Sequence, residues 1–171
     1  MLVALRPPLR LPQPKASNES VFSFLAKRFT PRTVYMDIGG ALAQRAAGYV
    51  ERVYAIDVSG FFLHNLLLPC NLRLVVCDGV RIPVPEASVD IAWGGAFLDQ
   101  LAPDEARDHL INVRRSLAPG GQYILTSRKN LRERLLEAGF ASLSCWLGAV
   151  RIPWAARALA SRNLLRICAT K

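Results

Sequence analysis

The feature that most constrains how this chain folds is a short apolar run that leads into an acid and two glycines. Residues 33–43 read Thr-Val-Tyr-Met-Asp-Ile-Gly-Gly-Ala-Leu-Ala. This order is typical of a buried strand that passes through a glycine turn into a helix. The turn presents backbone N–H groups, and Gly39 lets a ligand approach the main chain. A second apolar run ends at Asp57, where an acid is placed to bind ribose hydroxyl groups.

Apolar runs alternate with helical patterns along the rest of the chain. Strands are predicted at 33–38, 52–57, 72–77, 89–93 and 123–127. Helices are predicted at 19–29, 42–49, 60–68, from Pro103 to the Pro119-Gly120-Gly121 segment, and at 130–138. Two more predicted strands, 141–149 and 163–170, follow without a full crossover helix, and a loop with a short helix separates them. This alternation predicts a parallel α/β sheet with helices on both faces.

The length of 171 residues favours one domain, predicted at 19–171, after a flexible basic and Pro-rich arm at 1–18. No apolar run approaches the roughly 18 residues that a membrane-spanning helix needs. The first residues lack the basic-then-apolar order of a signal peptide, so a cytoplasmic protein is predicted.

The net charge of +9 is confined to the two ends of the chain. Residues 1–32 carry six Lys or Arg and one Glu, and residues 150–171 carry five Lys or Arg and no acid, so each end has a charge of +5. Residues 33–149 carry eleven bases and twelve acids, a net charge of −1. Basic ends favour an anionic small molecule, a nucleic acid or an anionic membrane surface as partner, although solubility alone also explains such charge.

Several motifs in order resemble those of class I S-adenosylmethionine-dependent methyltransferases, most closely the small-molecule group called type 11. Asp37 and Gly39 fall on the acid and the first glycine of the first motif. Ala41 and Ala43 occupy its other two glycine positions, so this motif is degenerate. Ala41 would carry backbone strain if its position required a positive φ.

The later motifs of this family are matched more closely. Asp57 corresponds to the second acid, and Asp78-Gly79 corresponds to the third motif. Residues 88–97 resemble the fourth motif, and residues 114–125, Arg-Arg-Ser-Leu-Ala-Pro-Gly-Gly-Gln-Tyr-Ile-Leu, resemble the most specific one. The resemblance implies a single three-layer Rossmann-like α/β domain with a mostly parallel seven-stranded sheet, in the order 3-2-1-4-5-7-6 with strand 7 antiparallel.

The resemblance also implies S-adenosylmethionine as cofactor and assigns residues to it. The methionine end would be organised by Asp37, Gly39, Gly40 and Ala41. The adenosine end and the cofactor amino group would be bound by Asp57, Val58, Asp78, Gly79 and Gly94. Both basic ends would border the mouth of the site, because the last two strands are connected at that edge of the sheet.

Methyl transfer needs mainly alignment of the acceptor with the methyl group, and a base only where the acceptor must lose a proton. Asp99, just after the fourth predicted strand, is the candidate base, and the alternative for it is an acid at a helix start. His64 and His109 lie in apolar or helical contexts, which favours structural roles.

The sequence leaves several functions open. The first is methyl transfer to a small-molecule or lipid-like acceptor. A methyltransferase-like partner protein without turnover is an alternative, because Ala41 departs from the motif. An RNA methyltransferase is a further alternative, and a dinucleotide dehydrogenase is disfavoured by the two-strand ending. The oligomeric state is not indicated by any motif.

Overall fold

A computed structural model describes residues 17–60, 69–127, 129–147, 150–155 and 165–171. The helices are α1 (Ser17–Ala26), α2 (Ala43–Ala46), α3 (Pro103–Ser116) and α4 (Arg132–Glu137), with a 3₁₀ helix at Phe97–Gln100. The strands are β1 (Val34–Ile38), β2 (Arg52–Asp57), β3 (Leu72–Val76), β4 (Val89–Gly95), β5 (Leu117–Thr126), β6 (Ser142–Leu147), β7 (Val150–Ile152) and β8 (Leu165–Thr170).

All eight strands form one sheet in the order β3-β2-β1-β4-β5-β8-β6-β7. The pairs from β3 to β5 are parallel, and β8 is antiparallel to both β5 and β6. This confirms the predicted Rossmann-like sheet, in which the last strand of the chain, β8, lies between β5 and β6. The strand count differs because β7, which lies in a predicted loop, pairs antiparallel with β6 at the sheet edge.

Several element bounds differ from those predicted. Helix α1 starts two residues inside the predicted arm, and α2 is half as long as predicted. Helix α3 ends at Ser116, before the predicted Pro-Gly-Gly stop, because Leu117 is extended and pairs with Val89. Residues 1–16 of the arm and 61–68 of the predicted third helix lie outside the described residues.

The apolar core lies on both faces of the sheet, as the alternation of strands and helices predicts. In β1, Met36 faces the cluster that includes Leu110 and Val113 of α3. Tyr35 faces the opposite cluster, which includes Leu25 of α1. All of these side chains are completely buried, and burial of each is worth about 2 kcal/mol of hydrophobic free energy. In the part of the chain that the structure describes, no helix is long and apolar enough to cross a membrane.

Candidate functional site

The carboxyl ends of the parallel strands bring the predicted cofactor residues to one edge of the sheet. Ile38 of β1 is in register with Ile56 of β2 on one side and with Gly94 of β4 on the other. Asp57, the last residue of β2, is in register with Val76, the last residue of β3. The segments that follow these strands therefore start at one level, which is where α/β folds bind ligands.

Asp37 is a buried carboxylate at the start of this edge, with only 1% of its surface exposed. Its Oδ2 accepts a hydrogen bond of 2.6 Å from the N–H of Leu42, just before α2. Its Oδ1 is buried and accepts no hydrogen bond from the described residues. Burial raises the pKa of Asp37 to about 7, and the nearby negative charge of Asp57 also raises it. A buried polar atom without a hydrogen-bond partner costs folding free energy, so this oxygen is a candidate to accept a hydrogen bond from a bound ligand.

The glycine turn after β1 has the backbone geometry that its sequence requires. Gly39 and Gly40 have φ values of +98° and +61°, in the left-handed region that favours glycine. The Gly39 N–H donates to the Ile56 carbonyl at 2.7 Å, and a Cβ added at Gly39 would meet no atom within 4 Å. The main chain at Gly39 therefore borders open space.

The two alanines of the degenerate motif carry no backbone strain. In the described part of the chain, the non-glycine residues with positive φ are Ala87 and Ala96, so Ala41 is not in that region. Ala41 is exposed, and Ala43 is fully buried as the first residue of α2. The condition under which Ala41 would be strained is therefore not met.

The next two predicted acids each stabilise the turn that follows their strand. Asp57 Oδ1 accepts the Ser59 N–H at 2.7 Å, and the adjacent Val58 side chain is 75% exposed. Asp78 Oδ1 accepts the N–H groups of Val80 at 2.8 Å and Arg81 at 3.0 Å. These two hydrogen bonds lower the pKa of Asp78, so its carboxylate is ionised at neutral pH.

A cluster of rings that no sequence motif predicts lies against the Asp78–Gly79 turn. A Cβ at Gly79 would lie 2.6 Å from Cζ of Phe97, and a Cβ at Gly94 would overlap the Tyr123 hydroxyl. The rings of Phe97 and Tyr123 contact the buried ring of His109 from α3, with centroids 5.0 and 5.7 Å away. The only sequence signal was a histidine on the apolar face of a helix.

Asp99 lies on the 3₁₀ helix that follows β4. It is half-buried, and its Oδ1 accepts a hydrogen bond of 2.5 Å from the Ser127 hydroxyl. The Lys129 ammonium donates to the Asp99 carbonyl oxygen at 3.3 Å. Asp99 therefore sits between the ends of β4 and β5, with a cationic side chain nearby.

Metal chemistry has no candidate site in the described ranges. No group of three or more His, Cys, Asp or Glu residues among them could hold a metal ion.

Comparison with known proteins identifies the family. The family model described as "Methyltransferase domain" matches residues 37–125, which is more than half of the chain. The match begins at Asp37 and ends at Leu125 of β5, so it spans the residues that the sequence predicts to bind the cofactor. The chain therefore belongs to this methyltransferase domain family. A comparison with curated proteins gave no match.

Solved structures confirm the fold. A putative methyltransferase from Haloferax volcanii, solved with the Trm112 methyltransferase activator, has a TM-score of 0.68 and 18% identity, covering 91% of this chain and 90% of that one. A Mesorhizobium loti S-adenosylmethionine-dependent methyltransferase has a TM-score of 0.67 and 12% identity, covering 89% and 98%. Phosphoethanolamine N-methyltransferase 1 from Haemonchus contortus, with phosphoethanolamine and S-adenosylhomocysteine, has a TM-score of 0.66 and 16% identity, covering 91% and 42%.

The family and the fold confirm a class I S-adenosylmethionine-dependent methyltransferase and identify S-adenosylmethionine as the cofactor. The residues present fit this molecule. The open space at Gly39 leaves room beside the main chain, and the unpartnered Asp37 oxygen provides an acceptor. The individual contacts assigned to Asp37, Asp57 and Asp78 stay predictions.

The raised pKa of Asp37 predicts a pH dependence of the folding stability. The carboxyl has a pKa of about 7 in the folded state and about 3.9 when unfolded, so the folded state binds the proton more tightly. The free energy of unfolding should therefore fall as the pH rises from about 4 to about 7. Urea unfolding of the parent and of Asp37→Asn at several pH values measures this, since asparagine keeps the acceptor and does not titrate.

The matched control is Asp90→Asn. Asp90 also accepts a backbone N–H, from Val34 at 2.8 Å, but its side chain is exposed. This variant should keep the pH dependence of the parent between pH 4 and 7. A parent and an Asp37→Asn variant with parallel stability curves would contradict the assignment.

Proposed function

We propose that this chain transfers a methyl group from S-adenosylmethionine to a small-molecule or lipid-like acceptor. The observation that carries the proposal is the position of three acids at one edge of the sheet: Asp37 and Asp57 at the ends of β1 and β2, and Asp78 just after β3. The three acids would meet the methionine, ribose and adenine parts of the cofactor in turn. The increase in exposure from the buried Asp37 through the half-buried Asp57 to the exposed Asp78 supports a bound molecule that extends from the interior to the surface.

Each group has a role that follows from its surroundings. The buried Asp37 carboxylate and the N–H groups of the glycine turn would organise the methionine end. The half-buried Asp57 would accept hydrogen bonds from the ribose hydroxyls, and the exposed Val58 would contact the adenine face. Asp78, kept ionised by two backbone N–H groups, would accept a hydrogen bond from the adenine amino group.

The bound cofactor supplies a methyl group on a sulfonium, which is an excellent leaving group. The protein then contributes mostly alignment of the acceptor and exclusion of water. The Asp99 carboxylate accepts a hydrogen bond from the Ser127 hydroxyl. It would take up the proton when the methyl-accepting substrate must lose one. The Lys129 ammonium beside it supports an anionic acceptor. Location in the cytoplasm and contact with an anionic membrane stay predictions.

A partner protein without turnover is the second candidate. Its motivation was Ala41, but an exposed alanine outside the positive-φ region gives little reason for lost binding. The Haloferax volcanii neighbour is in complex with a methyltransferase activator, so a protein partner does not by itself argue against turnover. An RNA methyltransferase is the third candidate, and a salt-sensitive interaction with RNA would favour it.

Calorimetric titration with S-adenosylhomocysteine tests the cofactor site. The parent should bind, and Asp57→Asn should bind about tenfold to hundredfold more weakly, because it loses hydrogen bonds to a charged acceptor. Glu51→Gln is the matched control, since Glu51 is exposed and precedes the opposite end of β2. No binding by the parent at millimolar ligand would remove the enzyme proposal. Equal affinity in Asp57→Asn would remove the ribose role.

Asp99→Asn tests the proposed base. Phosphoethanolamine, which the Haemonchus contortus enzyme binds, is one acceptor to assay, together with neutral lipid-like acceptors. With an acceptor that must lose a proton, kcat should fall about hundredfold, and the rise of activity with pH should flatten. Asp104→Asn, at an exposed acid in the first turn of α3, should behave as the parent. A pH profile of Asp99→Asn that matches the parent would exclude Asp99 as base.

A further inference from the structure

Two fully buried polar side chains connect the Asp78–Gly79 turn to the centre of the sheet. His109 of α3 and Tyr123 of β5 have no exposed surface. The His109 Nδ1 is 2.6 Å from the Gly79 carbonyl oxygen, and its Nε2 is 2.9 Å from the Tyr123 hydroxyl. Both ring nitrogens therefore form hydrogen bonds within the protein, to groups that are 30 and 14 residues away in the chain.

The direction of these hydrogen bonds follows from the chemistry of the groups. A carbonyl oxygen only accepts, so the Nδ1–H of His109 donates to Gly79, and the Nε2 accepts from the Tyr123 hydroxyl. Burial lowers the pKa of His109 to about 4, so the ring stays neutral at physiological pH. One tautomer of the neutral ring is thus held in place from both sides.

The hydrogen bond from His109 to Gly79 fixes the orientation of a peptide group that also donates a hydrogen bond to Asp78. The Gly79 carbonyl and the Val80 N–H belong to one planar trans peptide, so they point in opposite directions. The carbonyl is fixed by His109, and the N–H donates to Asp78 Oδ1 at 2.8 Å. Because rotation of this peptide would break both bonds together, His109 fixes the direction of the Asp78 carboxylate.

Close contacts with Phe97 and Gly94 leave this arrangement little freedom. The Phe97 ring lies so close to Gly79 that no Cβ fits there, and Gly79 itself has a φ of +74°. The Tyr123 hydroxyl lies against the main chain of Gly94, at the end of β4. The turn that carries Asp78 is therefore held at a fixed height relative to β4.

We propose that His109 and Tyr123 are positioning residues for the cofactor, which act through the Gly79–Val80 peptide to orient Asp78 toward the adenine ring. The inference rests on the proposed function, because it assumes that Asp78 contacts the adenine. Neither side chain touches the cofactor in this scheme. Their effect is on the affinity for the adenosine half, with no part in the transfer step.

Calorimetric titration with S-adenosylhomocysteine tests this scheme on two His109 variants. His109→Leu should weaken binding about tenfold, because the Gly79 carbonyl loses its donor. His109→Asn should restore affinity to within about twofold of the parent, since its amide N–H can take the place of Nδ1–H. Leu110→Ala is the matched control, because it removes a completely buried side chain from the same helix and leaves the hydrogen bond from His109 to Gly79 in place. It should lower stability and leave the affinity unchanged.

A double-mutant cycle distinguishes positioning from general support of the fold. If His109 acts through Asp78, His109→Leu should have no further effect on the affinity of an Asp78→Ala variant. A further tenfold loss in that background would overturn the proposal. So would parent-like binding by His109→Leu, or an Asn variant as weak as the Leu variant. A parent that does not bind S-adenosylhomocysteine would instead overturn the proposed function itself.

The tautomer gives a readout that needs no ligand. The chain has two histidines, so a His64→Gln variant leaves His109 alone in ¹⁵N NMR spectra. The proposal requires a protonated Nδ1 and an unprotonated Nε2 from pH 6 to 8. Tyr123→Phe should keep the ring neutral and weaken binding about threefold, since Nε2 loses its donor. A ring protonated on Nε2 in the parent would overturn the proposal.

Discussion

The parallel pairing of β1 with β2 on one side and β4 on the other is the constraint on which the site depends. Because Ile38 is in register with both Ile56 and Gly94, three strands end at one level. The chain segments that follow these three strands therefore start next to one another at the edge of the sheet. Acids that are 20 or more residues apart in the sequence are thereby brought to one place, and loops of different length do not disturb their order.

The acids at this edge differ in what their surroundings do to them. Asp37 is enclosed, and burial holds the proton on it up to a pH of about 7. Asp78 is exposed and receives two backbone N–H groups, which keep it charged. In the proposed binding mode, the positively charged methionine end and the neutral adenine of the cofactor would meet two carboxyl groups in different protonation states. Burial makes the charged form of Asp37 unfavourable in the free protein, and a cation that approaches it would stabilise this charged form.

The sequence predicts the sheet and the position of the acids at the strand ends well, because both depend on local signals, whereas the roles of these acids stay predictions. Asp57 and Asp78 each end an apolar run, and a parallel sheet brings such ends together without further information. The bounds of α3 and β5 were predicted less well, since the pairing of Leu117 with Val89 overrides the Pro-Gly-Gly stop signal. The bond between His109 and Gly79 was not predictable, because it depends on two groups 30 residues apart in the chain. The motif alone could not show whether Ala41 is strained, because strain at this position depends on its φ, which the structure shows is not positive.

The contact between Gly94 and the Tyr123 hydroxyl makes the two positions depend on each other in evolution. Any side chain at position 94 needs the space of that hydroxyl, so it requires a smaller residue at position 123. A smaller residue there would remove the donor to His109 Nε2 and leave a buried acceptor without a partner. A side chain at position 94 is therefore tolerated only with changes at positions 123 and 109. Substitution of Gly94 in the course of evolution should then need three compensating exchanges, and it should be much rarer than single exchanges at the other two positions.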